Sequence, residues 1–598
     1  MRANSQIGLM SLKAHPGEER PGYTSKALWL HSPADRPPLR IGLLLDGPEL
    51  SAFSASVIED IQASNFAKIE LAVYRKSAAA AATPPSSSLF KTAIRALTNA
   101  NLRKHVLYNV YLRFDRRRKP AKHPLDRVDC RDLLAEVESI EVEPVGKKYV
   151  HRFPEDAVQA ICAMRLDVLI RFGFNILKGE ILTAARYGVW SYHHGDNNSY
   201  RGGPAHFWEL LEGAPLSGVI LQVLTEELDG GLVLCKSLFT TQPTLSVSAN
   251  RFGPYWGASN LVIRKLNELH RVGWEHLQQK AVPAEPYQGK RKIYRTPTNM
   301  DMARWLGPVL LKRIVRRPFR RKTIQHWRIG VRVNRKPLFE EPESNLEGVR
   351  WIESPQGHFW ADPFALEQDG RAWAFFEDYC YGTKKGLIAC AEIGADGSLG
   401  SPVPCLQKSE HHYSYPYVFR DGGGLFMIPE AFSSGSVDLY RCMEFPQAWE
   451  HQSTLLRGKY VDTSVWNDGG MWWMMTTSAD PDSRAAILLL FFSERLSGPW
   501  QFHPANPVSS DVRNNRGAGR IFFDGKRWIR PSQSCCPVYG YSFTLNEITA
   551  LSTTEYGERA IREFRPESLG AFKATHTYNW MVGVELIDGT VTRVVDSA

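Results

Sequence analysis

Residues 167–193 read DVLIRFGFNILKGEILTAARYGVWSYH, and this stretch decides the fold of the first half of the chain. The apolar runs DVLIRF and GVWSYH predict two short buried strands, and the segment between them predicts a short helix. The same order of strand, helix and strand recurs upstream, in residues 40–74. Strands that alternate with helices are typical of a parallel sheet. The sequence therefore predicts one α/β domain over residues 39–285.

The second half of the chain carries a repeat instead of helical periodicity. Each unit pairs a polar strand with an apolar strand across a glycine-rich turn, as in residues 462–475, DTSVWNDGGMWWMM. Five units follow one another at steps of 53, 47, 57 and 57 residues. Their marker residues are Asp362, Tyr415, Asp462, Gly519 and His576. A unit of about 50 residues is typical of a four-stranded blade, so we expect an all-β five-bladed propeller over residues 340–598.

Two further segments complete the predicted organisation. Residues 1–38 have no usable period and are interpreted as a flexible tail. Residues 286–339 are interpreted as a basic linker, because residues 312–336 contain eleven Lys or Arg and no acid. Such a run is typical of a solvated connector. The alternative is that residues 305–336, in which apolar residues precede the basic ones, make a peripheral contact with a membrane or an anionic carrier.

The composition excludes several classes of protein. The 598 residues are 43% hydrophobic and 11% aromatic, which is too rich for a disordered chain. The sequence contains no run of about 18 apolar residues, so no transmembrane helix is predicted. The first 40 residues also lack the apolar core of a secretory signal. Nine cysteines without a CxxC pair indicate reduced thiols instead of a disulfide framework or a zinc ribbon. We therefore expect a cytoplasmic protein.

A set of motifs in the α/β domain carries a resemblance to a known family. His193 ends a predicted strand, residues 200–202 (Tyr-Arg-Gly) end the loop that follows, and residues 228–231 (Leu-Asp-Gly-Gly) lie further along the chain. With these motifs, the region of about residues 40–260 resembles the 10-formyltetrahydrofolate-dependent formyltransferases. The resemblance implies a Rossmann-like fold, 10-formyltetrahydrofolate as the cofactor, and transfer of its formyl group to an amine.

The resemblance also implies roles for individual residues. His193 would bind the oxyanion or take the proton of the amine, and Asp229 would orient His193 and accept a proton through water. Ser191 stands where the family has an Asn that polarises the formyl carbonyl, and Asn197 or Asn198 is the alternative source of an amide. The residues implied in binding cofactor or substrate are Phe172, Gly173, Tyr200, Arg201, Gly202 and Leu228.

Other interpretations of these residues stay open. His193 is alternatively a buried structural histidine, and Asp229 a turn residue before two glycines. A metal site built from His193, His194 and Asp196 is not expected, because successive residues of a strand point to opposite faces of the sheet.

The propeller offers a second candidate site where inner strands converge on its axis. The candidate residues are Asp362, Glu430, Asp462, Arg520 and His576. The region resembles the five-bladed glycosidases of the arabinanase and invertase kind, although the second unit has Tyr-Ser-Tyr-Pro where those enzymes have an Asp. It is more similar to the propeller at the amino end of the plant enzymes that transfer glucosamine to a glycolipid. The resemblance implies glycan binding or hydrolysis; alternatively, Asp362 and Asp462 cap strand ends by binding backbone N–H groups.

These observations predict N-formylation of an amino sugar or sugar nucleotide in glycan biosynthesis, with the propeller as the carbohydrate-recognition domain. The expected partner is an amino sugar or a glycan, and no specific nucleic acid. One alternative is a propeller-based glycoside hydrolase, or a protein associated with a glycosyltransferase, in which the α/β domain is a degenerate binding module. Another is a scaffold without activity.

Overall fold

The computed structural model shows an α/β domain followed by a five-bladed β-propeller, which confirms the predicted fold class. The described residues are 24–76, 103–146, 149–227, 230–283, 285–316, 322–341, 346, 348–407, 410–478 and 487–595.

Eleven strands belong to the α/β domain. They are β1 (Leu39–Leu45), β2 (Glu49–Ser51), β3 (Ala67–Arg75), β4 (Arg127–Asp129), β5 (Glu138–Val142), β6 (Val150–His151), β7 (Val168–Arg171), β8 (Ile176–Leu177), β9 (Val189–His193), β10 (Leu216–Val223) and β11 (Leu232–Thr240). Seven of them form one sheet in the order β11-β10-β9-β7-β1-β3-β5. The five strands from β9 to β5 are parallel, and β10 and β11 are antiparallel to their neighbours. Six of the seven residues of the central strand β1 are buried, as expected for a strand covered on both faces.

In the described part of the chain, eight α-helices connect or cover these strands. They are α1 (Ala52–Ala63), α2 (Val106–Asp115), α3 (Glu155–Ala163), α4 (Trp208–Glu212), α5 (Val247–Ala258), α6 (Leu261–Val272), α7 (Trp274–Gln279) and α8 (Asn299–Arg316). Serine side chains cap two of them: Ser51 accepts from the backbone N–H of Ser54 at the start of α1, and Ser246 accepts from that of Ala249 at the start of α5. Within the described ranges, no helix combines the length and the apolar character needed to cross a bilayer.

Twenty-one strands of the propeller lie within the described residues. They are β12 (Lys322–Val333), β13 (Arg350–Ile352), β14 (His358–Gln368), β15 (Arg371–Cys380), β16 (Lys385–Ile393), β17 (Val403–Leu406), β18 (Ser414–Asp421), β19 (Gly424–Glu430), β20 (Ser436–Glu444), β21 (Ala448–Arg457), β22 (Tyr460–Asp468), β23 (Met471–Ser478), β24 (Ile487–Ser493), β25 (Gln501–Phe502), β26 (Arg516–Gly517), β27 (Phe522–Phe523), β28 (Trp528–Ser534), β29 (Ser542–Leu551), β30 (Tyr556–Phe564), β31 (Tyr578–Met581) and β32 (Val584–Val595). Blades one to four are consecutive in sequence: β14–β17, β18–β21, β22–β25 and β26–β30.

The fifth blade is assembled from both ends of the propeller sequence. Its strand order is β13-β12-β32-β31, and β12 pairs with β32 along the whole length of both strands. The interpretation of residues 286–339 as a linker is therefore corrected: α8 lies in that segment, and the propeller begins at Lys322 instead of at residue 340. Strand β12 contributes to the hydrophobic core of the propeller although it carries basic residues, because its apolar side chains are buried: Trp327, Ile329 and Val331.

The interpretation of residues 1–38 as a flexible tail is corrected over its described part. Residues Thr24–Trp29 form a 3-10 helix, and Trp29 is only 3% exposed. Ser32 is also buried, and its Oγ lies 2.7 Å from Nδ1 of His270 in α6. These contacts hold the segment against the α/β domain. Residues 1–23 lie outside the described residues.

The two domains are docked along the edge strand β11. Leu238 exchanges backbone hydrogen bonds with Ser510 and Val512 of the propeller, at 3.1 Å each. Thr240 donates to the carbonyl oxygen of Cys535, and the ring of Trp29 meets that of Phe502 edge-on with centroids 5.5 Å apart. A strand edge that would otherwise be exposed is thereby partly paired.

Candidate functional site

The α/β sheet opens a crevice at the carboxyl ends of its parallel strands, which is where α/β sheets of this kind bind ligands. Asp46 follows β1, Arg75 ends β3, Arg171 ends β7 and His193 ends β9. Arg75 Nε lies 2.9 Å from the Asp46 carboxylate. Burial, with the charges of Arg75 and Arg171, lowers the pKa of the neighbouring His151. The crevice therefore combines two guanidinium groups with an imidazole.

His193 is half-buried, and its Nε2 lies 2.9 Å from the carbonyl oxygen of Tyr200. A carbonyl oxygen can only accept, so Nε2 carries a proton and, in the neutral ring, Nδ1 holds the lone pair. The next residue, His194, stacks on Tyr255 with ring centroids 3.8 Å apart. Burial lowers the pKa of His194 well below its usual range. The two histidines therefore face different surroundings.

Ser191 is 1% exposed and lies beneath the crevice surface. Its Oγ accepts a hydrogen bond from Nη1 of Arg171 at 2.9 Å, and Nη2 of Arg171 donates to the carbonyl oxygen of Phe174 at 3.0 Å. Ser191 thus serves as an acceptor for an arginine, whereas the family pattern implies a donor to the formyl oxygen at this position. Sequence reasoning missed Arg171, which precedes the Phe172-Gly173 pair that we singled out.

Asn197 and Asn198, the alternative amide donors to the formyl oxygen, make different contacts. Asn198 is buried, and its Nδ2 donates to Oε2 of Glu285 at 2.6 Å. Asn197 accepts, through its backbone carbonyl, from Nε of Arg201 at 3.0 Å. The amide of Asn198 is therefore engaged with a carboxylate.

Leu228 and Asp229 lie outside the described residues, so the roles that the resemblance implies for them stay predictions.

Two glycines of the predicted binding set are required by close packing. A Cβ on Gly173 would lie 2.2 Å from the backbone nitrogen of Asp46. Gly202 has φ +92°, and a Cβ there would lie 2.3 Å from the carbonyl oxygen of Tyr294. Only glycine avoids both clashes. Their identity is thus explained by the fold, whatever they bind.

The other described members of that set also make internal contacts. Tyr200 OH donates to Glu212 at 3.3 Å, and burial raises the pKa of Tyr200. The Arg201 guanidinium lies 4.7 Å from the ring centre of Tyr287. Phe172 is partly buried against the core. These residues shape the loop after His193.

The propeller axis shows the same backbone irregularity in three successive blades. The pairing of the first two strands is interrupted between Ala361 and Phe364, between Ser414 and Tyr417, and between Val461 and Ser464. Inside these interruptions, Asp362, Tyr415 and Asp462 have φ of +51°, +44° and +53°. Left-handed backbone at non-glycine residues costs about 1–3 kcal/mol each and clusters at functional sites.

His576 joins the fifth blade to the first. Its Nδ1 lies 2.6 Å from Asp588 Oδ2, and its Nε2 lies 3.7 Å from Asp362 Oδ1. Asp588 also accepts backbone N–H groups of His576 and Thr577 through Oδ1, and Thr577 Oγ1 donates to Asp362 at 3.0 Å. Among the described residues, Asp362, His576 and Asp588 form the one group of three whose possible metal-ligand atoms all lie within 4.8 Å of one another.

Asp462 joins the third blade to the fourth and meets the second. Its Oδ2 accepts from Nε of Arg516 at 2.6 Å, and its backbone N–H donates to Oε2 of Glu430 at 3.1 Å. The sequence suggested that Asp362 and Asp462 cap backbone N–H groups, but their carboxylates contact side chains. Asp588 and Glu430 instead accept from the backbone N–H groups of Asp362 and Asp462.

Burial and mutual repulsion shift the pKa values of these acids. Burial raises the pKa of Asp362 to about 6, against the opposing effect of His576. Burial and the neighbouring Asp462 raise the pKa of Glu430 to about 8. Glu377, in β15, has a pKa well above its usual range, because it is buried and near Asp362 and Glu430. Acids that stay protonated near neutral pH are typical of sites that move protons.

Aromatic rings line the fifth-blade side of the axis. Trp327 stacks on His576 with ring centroids 4.0 Å apart, and Tyr539 meets His576 edge-on at 5.7 Å. The Arg516 guanidinium lies 5.1 Å from the ring centre of Tyr539. The charged and titratable side chains beside these rings form one cluster. We call it the axial site, and its members are Asp362, Glu377, Glu430, Asp462, Arg516, His576 and Asp588.

Arg520, which the sequence suggested as a member of this site, has a different place. Its Nη2 donates to the carbonyl oxygens of Ala365, at 3.2 Å, and Val418, and its guanidinium lies 5.9 Å from the ring centre of Tyr417. Arg520 therefore ties the inner strands of blades one and two together. Arg516, four residues earlier, supplies the cation of the axial site.

A polar cavity of about 100 Å³ lies in blade two beside Glu430. It is lined by His411, Tyr413, Pro429, Ala431, Ser434, Ser436, Asp438, Tyr440 and His451. Asp438 is held there by Ser436 Oγ and Thr454 Oγ1, each at 2.6 Å. Pro429 and Ala431 flank Glu430 in sequence, but none of the seven residues of the axial site lines this cavity.

The propeller matches one protein family. Residues 350–580 match the family described as glucosamine inositolphosphorylceramide transferase 1, N-terminal. Glucosamine inositolphosphorylceramide transferase 1 of Arabidopsis thaliana is 31% identical over 206 residues, which are 34% of this chain and 27% of that protein. The protein of the same name from Oryza sativa subsp. japonica is 29% identical over 255 residues, 39% of this chain and 34% of that protein. The aligned part thus spans about a third or less of each relative.

Two solved structures are each similar to a part of this chain. Glycinamide ribonucleotide transformylase 1 from Symbiobacterium toebii is 14% identical, with 39% of this chain and 88% of that chain covered and a TM-score of 0.26. An endo-arabinase from Bacteroides thetaiotaomicron is also 14% identical, with 36% and 81% covered and a TM-score of 0.27. At these TM-scores the superpositions do not bear on activity.

Sequence reasoning missed three members of the axial site for identifiable reasons. Asp588 precedes a glycine, which is the pattern of a turn, but it lies inside β32 and is completely buried. Glu377 was visible as an acid in the apolar strand β15. Arg516 was one of several arginines in its region, and only its contact with Asp462 distinguishes it.

Proposed function

We propose that the axial site binds a sugar residue of a glycan or glycolipid and that the chain takes part in a transfer reaction on that sugar. The observation that carries this proposal is the contact between Glu430 and Asp462, two acids whose carboxyl groups have different electrostatic surroundings. Glu430, whose pKa is raised to about 8, contacts the backbone of Asp462, and Asp462 is ion-paired with Arg516. A protonated carboxyl can donate to a glycosidic oxygen, and a carboxylate can support the positive charge that develops on a sugar ring.

The cavity in blade two supports the proposal because its lining suits a sugar. Hydroxyl groups of a sugar pair with serine, histidine and carboxylate side chains, and all three types are present there. The rings of Tyr413 and Tyr440 supply apolar surface.

An amino sugar is the substrate class that we favour. The relatives carry glucosamine in their name, and the family match, over residues 350–580, falls on the propeller. An amino group can pair with carboxyl oxygens by hydrogen bonds or by charge, and five of the seven residues of the axial site carry a carboxyl group: Asp362, Glu377, Glu430, Asp462 and Asp588.

Titration calorimetry with glucosamine, N-acetylglucosamine and glucose tests this proposal. We expect glucosamine to bind most tightly, and we expect Asp462→Asn and Glu430→Gln to weaken its binding by about tenfold or more, equivalent to about 1.4 kcal/mol. Glu450→Gln, an exposed change in blade two, is the matched control and should leave binding unchanged. Equal affinity for glucosamine and glucose would contradict the amino-sugar preference, and no binding of any sugar would contradict the site.

A second candidate function is transfer of a formyl group from 10-formyltetrahydrofolate to the amine of such a sugar. The position of His193 favours it, since this histidine ends β9 at the carboxyl edge of the parallel strands and its ring is oriented by the contact with the carbonyl oxygen of Tyr200. The oxyanion donors do not fit equally well, because Ser191 accepts from Arg171 and the amide of Asn198 is engaged with Glu285. Formyl transfer is therefore the weaker of the two proposals.

Mass spectrometry of amino sugars incubated with the protein and 10-formyltetrahydrofolate tests the second candidate. We expect a gain of one formyl group on the amine, lost in His193→Ala and kept in His276→Ala, which changes a histidine away from the crevice on α7. If no amine is formylated while glucosamine still binds to the propeller, the α/β domain has another role.

A further inference from the structure

The exposed side of helix α2 carries a stripe of large apolar side chains. Leu107, Val110 and Phe114 are 44%, 41% and 55% exposed. They are three and four residues apart, so they follow one side of the helix. We call these three residues the α2 stripe. Exposed apolar residues that are contiguous, unlike scattered ones, mark an interaction surface.

Basic side chains surround the α2 stripe. The exposed basic residues in and beside the helix are Arg103, Lys104, Arg113, Arg116 and Arg117. The Arg117 guanidinium lies 5.7 Å from the ring centre of Phe114. The single acid of the helix, Asp115, is buried and accepts from the backbone N–H and Oγ of Ser248, at 2.9 and 2.6 Å. The outward face of α2 is therefore apolar and positively charged, with no acid of its own.

The opposite face of α2 is held firmly to the domain. Tyr108 is buried, and Tyr111 OH donates to the carbonyl oxygen of Leu245 at 2.8 Å. Tyr111 also meets Trp305 of α8 edge-on, with ring centroids 5.4 Å apart. Asn299, at the start of α8, accepts from the backbone N–H of Leu107 at 2.9 Å. The α2 stripe therefore lies on a fixed helix beside α8, whose sequence turns basic from residue 312.

We propose that this face of α2 docks on an anionic membrane surface. An interfacial helix places apolar side chains at the boundary of headgroups and acyl chains, while arginines beside them bind lipid phosphates. Nucleic acid fits less well, since three large apolar side chains would gain nothing from a phosphodiester backbone. The proposal goes beyond the function proposed for the propeller, and it is separate from the contact suggested for residues 305–336, which stays a prediction.

Sedimentation with lipid vesicles tests the proposal on the full chain. We expect the protein to pellet with phosphatidylcholine vesicles that contain about 30 mol% phosphatidylserine and to stay in solution with phosphatidylcholine alone. Raising the salt from about 0.1 M to about 0.5 M should weaken the binding, because the basic residues are exposed and therefore screened.

Two pairs of substitutions separate the contributions. Arg113→Gln with Arg117→Gln should lower the partition coefficient about 25-fold, the product of roughly fivefold for each basic residue. Leu107→Ala with Phe114→Ala should lower it by about tenfold or more, and also at high salt. Matched controls in the propeller are Arg457→Gln with Arg495→Gln, and Phe523→Ala with Val582→Ala, in which Phe523 and Val582 are 48% and 83% exposed. Both controls should bind as the unchanged protein does.

Hydrogen exchange of the unchanged protein supplies a measurement that needs no variant. Vesicles with phosphatidylserine should slow exchange in residues 103–117 and leave blade five unaffected. The proposal is overturned if the unchanged protein does not bind anionic vesicles, or if the two double variants of α2 bind as well as the propeller controls. It is also overturned if vesicles slow hydrogen exchange in a segment other than residues 103–117. Competition by RNA that removes the protein from vesicles at equal phosphate concentration would likewise count against a membrane as the partner.

Discussion

Arg516 donates through Nε to Oδ2 of Asp462 at 2.6 Å, and the two side chains are 6% and 7% exposed. This buried ion pair joins the first strand of blade three to the first strand of blade four. Removing one member of such a pair leaves an uncompensated charge in the interior. The pair is therefore a part of the architecture as well as of the axial site, and a double-mutant cycle can separate these two contributions.

Arg516→Gln and Asp462→Asn should each lower the free energy of unfolding by about 3–5 kcal/mol. The double variant should lose less than the sum, because neither charge is then left alone. Urea denaturation of the three variants measures the coupling. The exposed pair Arg593–Glu353 in blade five, with side chains 40% and 56% exposed, is the control, and its coupling should stay below about 1 kcal/mol. Equal coupling in both pairs would show that burial is not the cause.

The raised pKa of Glu430 predicts a stability that falls as the pH rises. Burial moves this pKa from 4.5 to about 8, so the folded chain holds a proton that the unfolded chain releases above about pH 4.5. Between these values the folded state binds more protons than the unfolded state. The free energy of unfolding should therefore decrease from pH 5 to pH 8, and Asp362, with a pKa raised to about 6, adds to the decrease.

Glu430→Gln tests this pH dependence because it keeps the shape and removes the titration. The variant should gain stability over the unchanged protein as the pH rises, and denaturation by urea at about pH 5, 6.5 and 8 measures the difference. Glu450→Gln, at an exposed position of blade two, should show a constant difference. A gain that is independent of pH would mean that Glu430 is ionised throughout this range.

Ser191→Asn should destabilise the α/β domain without increasing any formyl transfer. Ser191 is 1% exposed and accepts from Arg171, so a larger side chain overpacks the site and displaces the arginine. Overpacking of this kind costs about 1–3 kcal/mol. Ser191→Ala is the matched change without added volume, and it should cost less than Ser191→Asn. Faster formyl transfer in Ser191→Asn would show that the residue acts on the substrate after all.

A propeller fragment should fold only if it contains β12. Residues 322–598 include the strand that pairs with β32 along its whole length and buries Trp327, Ile329 and Val331. Residues 340–598 lack it, which leaves the edge of β32 and a part of the core exposed. Circular dichroism and thermal melting of both fragments should show a cooperative transition for the longer one alone. Equal folding would mean that the fifth blade closes without β12.

The sequence determined the class of each half, because the relevant signals are local. The alternation in residues 167–193 depends on neighbouring residues, and so does the pairing of a polar and an apolar strand within each blade. All five marker residues also make hydrogen bonds or ion pairs around the axis, since equivalent positions of a repeat occupy equivalent places: Asp362, Tyr415, Asp462, Gly519 and His576.

Tertiary structure alone decided which side chains meet. By sequence, Asp588 has the pattern of a turn residue, but in the fold it lies within β32 beside the propeller axis. By sequence, Lys322–Val333 has the composition of a connector, but in the fold it pairs with a strand more than 250 residues away. Ser191 looks like a weakened donor until Arg171 is seen to bind it. A hydrogen bond or an ion pair depends on distances between atoms from separate elements, and hydrophobic periodicity carries no information about them. The closure of the ring and the protonation of its acids therefore follow only from the folded chain.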